Sequence, residues 1–165
     1  MFKIIENILP TDIESAVRQL LKDDVILISK NSYTEHKNRY GVKIYDNKIL
    51  SFMKEYLKQV ILQTLDEEHL HNKMLLSDVY ACIDNNEFNV RWHEDSPEKY
   101  ISCIIYFDEG YTGTTFLDEN LSEHYCEPRN NRLLFFKTKN IIHRVKRGGS
   151  KRYTLQFSYR LISNE

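Results

Sequence analysis

The chain has 165 residues, 41% hydrophobic and 28% charged, with a formal net charge of -1. That length suits one domain with a sizeable core, and the charge balance gives no global pull toward nucleic acid or membrane. No apolar run approaches a membrane span and Met1 to Pro10 carries no signal-peptide pattern, so a cytoplasmic protein is expected.

In chain order, Phe2 to Leu9 reads as a short mixed strand stopped by Pro10. Thr11-Asp12-Ile13-Glu14 then reads as a capping box opening a helix. Ile13, Val17, Leu20 and Leu21 share one face of it, and Asp23-Asp24 ends it. Val25 to Ser29 is expected as a strand, Lys30 to Asn38 as a polar loop, and Gly41 to Tyr45 as a strand. Asp46 is a plausible N-cap for a second helix. Its broad apolar stripe of Ile49, Leu50, Met53, Tyr56, Leu57, Val60, Ile61 and Leu65 is wide enough to lie across a sheet. Asp66 to Asn72 is a polar link.

From Lys73 the texture changes to short β-rich runs separated by turn chemistry. The runs are Met74–Ile83, Phe88–Trp92, Ile101–Phe107, Thr114–Leu117, Leu133–Lys137, Ile141–Val145 and Tyr153–Tyr159. Turns are expected at Asp84-Asn85-Asn86, Asp108-Glu109-Gly110, Pro128–Asn131 and Gly148-Gly149. The 11 tyrosines and 8 phenylalanines suit strands. Cys82, Cys103 and Cys126 are odd in number, have no CxxC spacing and lie in or beside apolar runs, so buried, reduced thiols are expected. The order supports an α+β, mainly β chain: a jelly roll braced by two N-terminal helices.

The chemistry centres on Arg91-Trp92-His93-Glu94-Asp95. On a strand, His93 and Asp95 point to one side, because side chains alternate with a period of two. An imidazole and a carboxylate there make two-thirds of a facial metal site, and His143 on a later strand is the candidate third ligand. Two His and one carboxylate with open positions is the geometry of non-haem Fe(II) oxygenases. Arg91 shares the face of His93 by the same alternation, so it is a candidate substrate contact, an outward-facing structural arginine being the equal alternative. Arg144, Lys146, Arg147, Lys151 and Arg152 form a basic cluster. Arg144 is a second candidate for the substrate, a solvated hairpin being the usual meaning of such a run. His69, His71 and His124 are rival ligands without an evident third partner.

Val79–Cys82, Arg91–Asp95, Cys103–Tyr106, Glu127-Pro128, Arg132–Phe136 and His143-Arg144-Val145 occur in this order, and Arg152 follows His143 by nine residues. This combination resembles the prolyl hydroxylase-like Fe(II)/2-oxoglutarate-dependent oxygenases, over about Asp78 to Tyr159. The likeness is to the catalytic domains of hypoxia-sensing prolyl hydroxylases and their bacterial relatives. It implies a double-stranded β-helix (jelly roll, cupin-like) as a single domain over 1–165, with 1–72 as helical support and first strands and 73–160 as the catalytic core. It implies Fe(II) on His93, Asp95 and His143. The distal carboxylate of 2-oxoglutarate would be held by Arg152 and Tyr106, with Thr154 assisting. O2 is the second co-substrate and ascorbate a possible reductant. The implied reaction hydroxylates a prolyl or other side chain of a protein or peptide, releasing succinate and CO2.

Two departures stand out. Relatives carry a tyrosine ten residues before the first ligand, where this chain has Ile83, and their Gly-rich turn becomes Asp84-Asn85-Asn86-Glu87. One hydrogen bond to the co-substrate is thereby put in question. Thr112-Gly113-Thr114-Thr115-Phe116 stands in place of the family's Gly-Gly-x-Thr-x-Phe strand, with the first glycine lost. The alternatives are the same chemistry on a free amino acid, another small molecule or a nucleic acid base, or a non-catalytic metal-binding β-sandwich. The spacing of Arg152 after His143 argues against the branch that acts on bases.

Overall fold

The computed structural model describes residues 2–22, 38–108, 112–118, 120–146, 148 and 150–162. The strand expected at Val25–Ser29 and most of the loop expected from Lys30 lie outside these residues, as do Glu109, Gly110, Arg147 and Gly149.

Strands β1 (Phe2–Ile5), β2 (Arg39–Lys43), β3 (Met74–Leu76), β4 (Tyr80–Asp84), β6 (Ile101–Tyr106), β9 (Arg132–Lys137) and β11 (Arg152–Leu161) form the larger sheet. Its order is β1-β9-β6-β11-β4-β2, with β3 also paired to β11. The smaller sheet, in order β5-β10-β7-β8, contains β5 (Val90–His93), β7 (Thr114–Leu117), β8 (Glu123–Cys126) and β10 (His143–Val145). Neighbouring strands are antiparallel in both sheets. The result is a mainly β architecture of two sheets.

Alternation along the larger sheet sorts its side chains into two sets. Ala81, Ile83, Cys103, Ile105, Leu133, Phe135, Leu155 and Phe157 belong to one buried cluster. The same cluster takes Ile13, Val17 and Leu21 from α1 (Thr11–Lys22), and Ile49, Met53, Leu57 and Ile61 from the second helical run. That run consists of α2 (Asn47–Phe52), a π-helical turn (Met53–Leu57) and α3 (Lys58–Leu65). Asp46 caps it as expected, its side chain accepting from the backbone N–H of Lys48 and Ile49 at 2.9 and 3.0 Å. The phenol of Tyr159 donates to the Met53 carbonyl at 2.6 Å, tying the sheet to the π-helical turn. The opposite set, Tyr106, Leu134 and Phe136, meets Phe116 of β7 and Cys126 of β8 in the seam between the sheets. All three cysteines are buried and unpaired, as their setting predicts. Among the described residues no helix is long and apolar enough to cross a membrane.

Three local expectations change. Thr11 lies inside α1 rather than capping it, and the Glu14 carboxylate accepts from Arg18 at 2.9 Å and from Asn131 at 3.2 Å, so there is no capping box. The run Met74–Ile83 is two strands, β3 and β4, because the backbone N–H of Ser77 turns to the Ser158 carbonyl while Val79 accepts from Ile44. Strand β8 has no counterpart in the sequence reading. It lies at a sheet edge with Glu123, His124 and Tyr125 exposed, so no apolar alternation marks it.

Candidate metal centre

The smaller sheet carries the two candidate histidine ligands. β5 and β10 pair so that His93 and His143 stand directly opposite one another, with ring centroids 4.2 Å apart. Asp95 follows His93 just past the end of β5. One ligand atom from each of His93, Asp95 and His143 falls within 4.8 Å of the other two, a spacing that one ion can bridge. Phe136 and Phe116 flank the His143 ring, at 4.8 and 5.9 Å between centroids. Burial pushes the His143 imidazole down to about 4, so it is the neutral base a metal requires. The Nδ1 of His93 lies 2.9 Å from the Arg91 carbonyl. A carbonyl only accepts, so Nδ1 carries the proton and Nε2 is left as the ligand atom. Burial works against the charge of Asp95, but Lys99, the Ser102 hydroxyl and His143 outweigh it and hold the carboxyl below its ordinary range. Ser102 donates to Oδ2, and the Lys99 ammonium lies 3.3 Å from Oδ1.

The register also relocates Arg91. Val145 pairs with Val90 while His143 pairs with His93, so β5 carries one extra residue between the same two rungs, a β-bulge. The bulge breaks the alternation on which Arg91 was placed beside His93. Val90 lines the cavity with His93 instead, and Arg91 is exposed and does not line it. Arg144 is likewise outside the cavity. Its guanidinium stacks over Trp92 at 4.1 Å and pairs with Glu123 at 2.6 Å.

A cavity of about 650 Å³ joins the three ligands to the larger sheet, with Arg39, Arg152 and Gln156 in its wall. Arg152 is only 1% exposed. Its Nε donates to Asp84 at 2.8 Å, while Nη1 and Nη2 are buried with no hydrogen-bond partner among the described residues. Buried donors are almost always satisfied, so two orphans on one guanidinium mark a place for an acceptor. A planar fork of this kind matches a carboxylate. Tyr106 and Thr154 are paired across β6 and β11 and both are fully buried. The Tyr106 phenol shares a 2.8 Å hydrogen bond with Thr114, and burial raises its pKa well above the ordinary phenol value, so it stays protonated. Thr154 Oγ1 accepts from Gln156 at 2.9 Å, leaving its own proton available. The donor set therefore fits a metal with a carboxylate-bearing ligand.

Beside it lies a group that the sequence reading did not find. Ile83, counted as the counterpart of the family tyrosine, turns into the helix-side cluster. The β4 residue paired with Arg152 is Asp84, which ends a strand rather than opening the turn expected there. Arg39 on β2 pairs with the same aspartate. An aspartate closing an apolar run is the one sequence signal that could have exposed this. Gly113 also has a reason to be glycine: an added Cβ would sit 1.9 Å from the Cys126 carbonyl oxygen. The rival histidines stay apart from the site. His124 pairs with Asp118 at 2.8 Å, and His69 and His71 lie on a short 3₁₀ segment, Glu68–Lys73.

No protein-family model and no curated protein matches the sequence. Solved structures do. A prolyl-4-hydroxylase of Pseudomonas putida superposes with a TM-score of 0.78 at 16% identity, covering 98% of this chain and 93% of that one. A Trichoplax adhaerens prolyl hydroxylase, in complex with a peptide fragment of the hypoxia inducible factor oxygen degradation domain, gives 0.71 at 17% identity, with coverage of 96% and 83%. The viral collagen prolyl hydroxylase of Paramecium bursaria Chlorella virus-1, in a 2-oxoglutarate complex, gives 0.70 at 13% identity, with coverage of 98% and 96%.

The fold is that of the prolyl hydroxylase-like 2-oxoglutarate oxygenases. At these identities the likeness speaks for architecture, a jelly roll, and the resemblance drawn from the sequence agrees with it.

Proposed function

We propose that the protein is an Fe(II)- and 2-oxoglutarate-dependent dioxygenase. Its reaction is hydroxylation of a C–H bond on a prolyl or other side chain of a protein or peptide, with release of succinate and CO2. One observation carries the reading. Three ligand atoms within 4.8 Å share a cavity with a buried guanidinium whose two Nη groups have no partner among the described residues. A metal-binding β-sandwich without catalysis gives no reason to bury those donors.

His93, Asp95 and His143 hold the metal in this reading. Arg152 takes the distal carboxylate of 2-oxoglutarate, with the Tyr106 phenol and Thr154 hydroxyl as further donors. Fe(II), 2-oxoglutarate and O2 together supply the oxidative decarboxylation and the C–H hydroxylation. The chain's own part is positional. Ser102 and Lys99 aim Asp95, the Arg91 carbonyl sets the His93 tautomer, and Phe116 and Phe136 keep His143 neutral and dry. Rigid strands carry most of these groups, which suits a site that needs tight geometry. The domain comprises 1–165, with 73–160 as catalytic core and the N-terminal helices bracing the larger sheet from behind. Ascorbate as reductant and a reducing, cytoplasmic setting complete the proposal, the latter in keeping with three buried thiols.

A peptide is the favoured substrate, because the Trichoplax neighbour is a prolyl hydroxylase in complex with a peptide. Any contact from Arg91 or Arg144 falls outside the cavity. The test is conversion of 2-oxoglutarate to succinate with Fe(II), alongside a mass-shift screen of prolyl peptides, amino acids and oligonucleotides. Wild-type protein turns over and His143→Ala does not. Turnover by His143→Ala removes the third ligand from the proposal. A +16 Da shift on a free amino acid or an oligonucleotide alone, about one added oxygen, replaces the peptide substrate.

A further inference from the structure

We infer that Arg39 decides whether the closed end of the cavity accepts a carboxylate, although its own donors are engaged with the protein. This rests on the proposed co-substrate site and adds to it a positioning residue on β2.

Arg39, Asp84 and Arg152 form one rung across three adjacent strands, since Asp84 pairs with Arg39 on one side and with Arg152 on the other. Arg39 grips Asp84 with both arms of its fork, Nε to Oδ1 at 2.5 Å and Nη2 to Oδ2 at 2.9 Å. Arg152 reaches Oδ2 through Nε alone, at 2.8 Å. Both guanidiniums lie over the buried Phe88 ring, at 4.2 and 5.5 Å from its centroid. Asp84 and Arg152 are each 1% exposed, and the Arg39 side chain is 11% exposed.

Within the rung itself two cations and one anion leave a charge of about +1, which one carboxylate would neutralise. Take Arg39 away and Asp84 faces Arg152 alone. The pair is then already neutral, and the released carboxylate oxygen competes for the same Nη donors that wait for a ligand. An incoming carboxylate would then add a second buried negative charge with no further cation to offset it. Arg39 thus keeps Arg152 available by occupying Asp84. Its Nη1 also donates to Gln156 at 2.9 Å, and Gln156 donates to Thr154 at 2.9 Å, so the same residue orients the threonine hydroxyl.

The probe is N-oxalylglycine, an inert mimic of 2-oxoglutarate, titrated calorimetrically into Mn(II)-loaded protein. Arg39→Met weakens it by about 100-fold, the scale of a lost buried charge partner, while Mn(II) affinity and melting in the metal-loaded state remain measurable controls. The double variant R39M/D84N returns the closed end to about +1 through Arg152 alone and recovers binding to within about tenfold of wild type. Wild-type affinity in R39M overturns the inference. So does equal weakness of R39M and R39M/D84N, since Arg39 would then act by something other than the charge of Asp84. Should R39M not fold, the double variant decides alone: retained binding supports the inference and lost binding overturns it. Wild-type protein that takes Mn(II) but never N-oxalylglycine overturns the co-substrate site itself, a result distinct from the other three.

Discussion

Replacing Ser102 by alanine removes one hydroxyl from the carboxylate of Asp95 and nothing else from the metal centre. Asp95 is held at both oxygens. The Ser102 hydroxyl, in a side chain 6% exposed, donates to Oδ2, and the Lys99 ammonium, on a side chain 39% exposed, stands 3.3 Å from Oδ1. Burial makes these two holds unequal. Outer groups that orient a metal ligand typically contribute about 10- to 100-fold in affinity, or about 1.4–2.8 kcal/mol. A solvent-screened ion pair contributes about 0.2–1 kcal/mol, or about 1.4- to 5-fold. Ser102→Ala is therefore expected to weaken Mn(II) binding by at least about tenfold, and Lys99→Met by less than about fivefold. Trp92, the only tryptophan and the neighbour of His93, reports the titration by quenching of its fluorescence. If Lys99→Met costs more than Ser102→Ala, or Ser102→Ala binds within about twofold of wild type, the idea that the buried hydroxyl aims the ligand is refuted.

Arg152→Lys keeps the charge but loses the fork, so N-oxalylglycine affinity should fall by at least about tenfold with Mn(II) affinity unchanged, as calorimetry would show. Tyr159→Phe deletes the 2.6 Å bond to Met53. It should cost about 1 kcal/mol, a drop of about 2–4 °C in melting temperature. Asp108 tests pH dependence. Burial pushes its carboxyl up, ahead of the lowering by the Tyr153 backbone and Arg152, and its Oδ1 has no hydrogen-bond partner among the described residues. A raised folded value means that its contribution to stability is complete below the unfolded value of about 3.9 and is lost as pH rises through the folded one. Asp108→Asn should therefore melt above wild type at neutral pH, with the gain gone by about pH 3. A gain of equal size at both pH values would assign it to something other than ionisation.

Much of the β architecture was legible because period-two patterns and turn chemistry are local. Thr114–Leu117 was bounded as found, and the other strand expectations from Phe88 onward overlap β5, β6, β9, β10 and β11. The expected stripe was right at Ile49, Met53, Leu57 and Ile61, which are buried, but Tyr56, placed on the same stripe, is 55% exposed. β8 was not legible, since an edge strand with exposed polar side chains looks like a loop until a neighbour pairs with it. The capping box failed for a related reason. Thr11 and Glu14 have the right spacing, but Asn131 and Arg18, the former from a distant turn, take the glutamate.

By itself the sequence marked the candidate ligand set as a type: a His-x-Asp pair, a later His, and an arginine nine residues beyond it, in an order that strands can fold. Only the tertiary structure decided which side chains share a face. One inserted residue in β5 moved Arg91 out of the cavity and Val90 in. One step of alternation on β4 turned Ile83 to the helices and Asp84 to Arg152. Such outcomes depend on pairing register, which long-range hydrogen bonds set between strands far apart in the chain, and a shift by a single residue reverses every facing. That is why Arg39, about a hundred residues before Arg152 in sequence, stays invisible until β2 is laid beside β4.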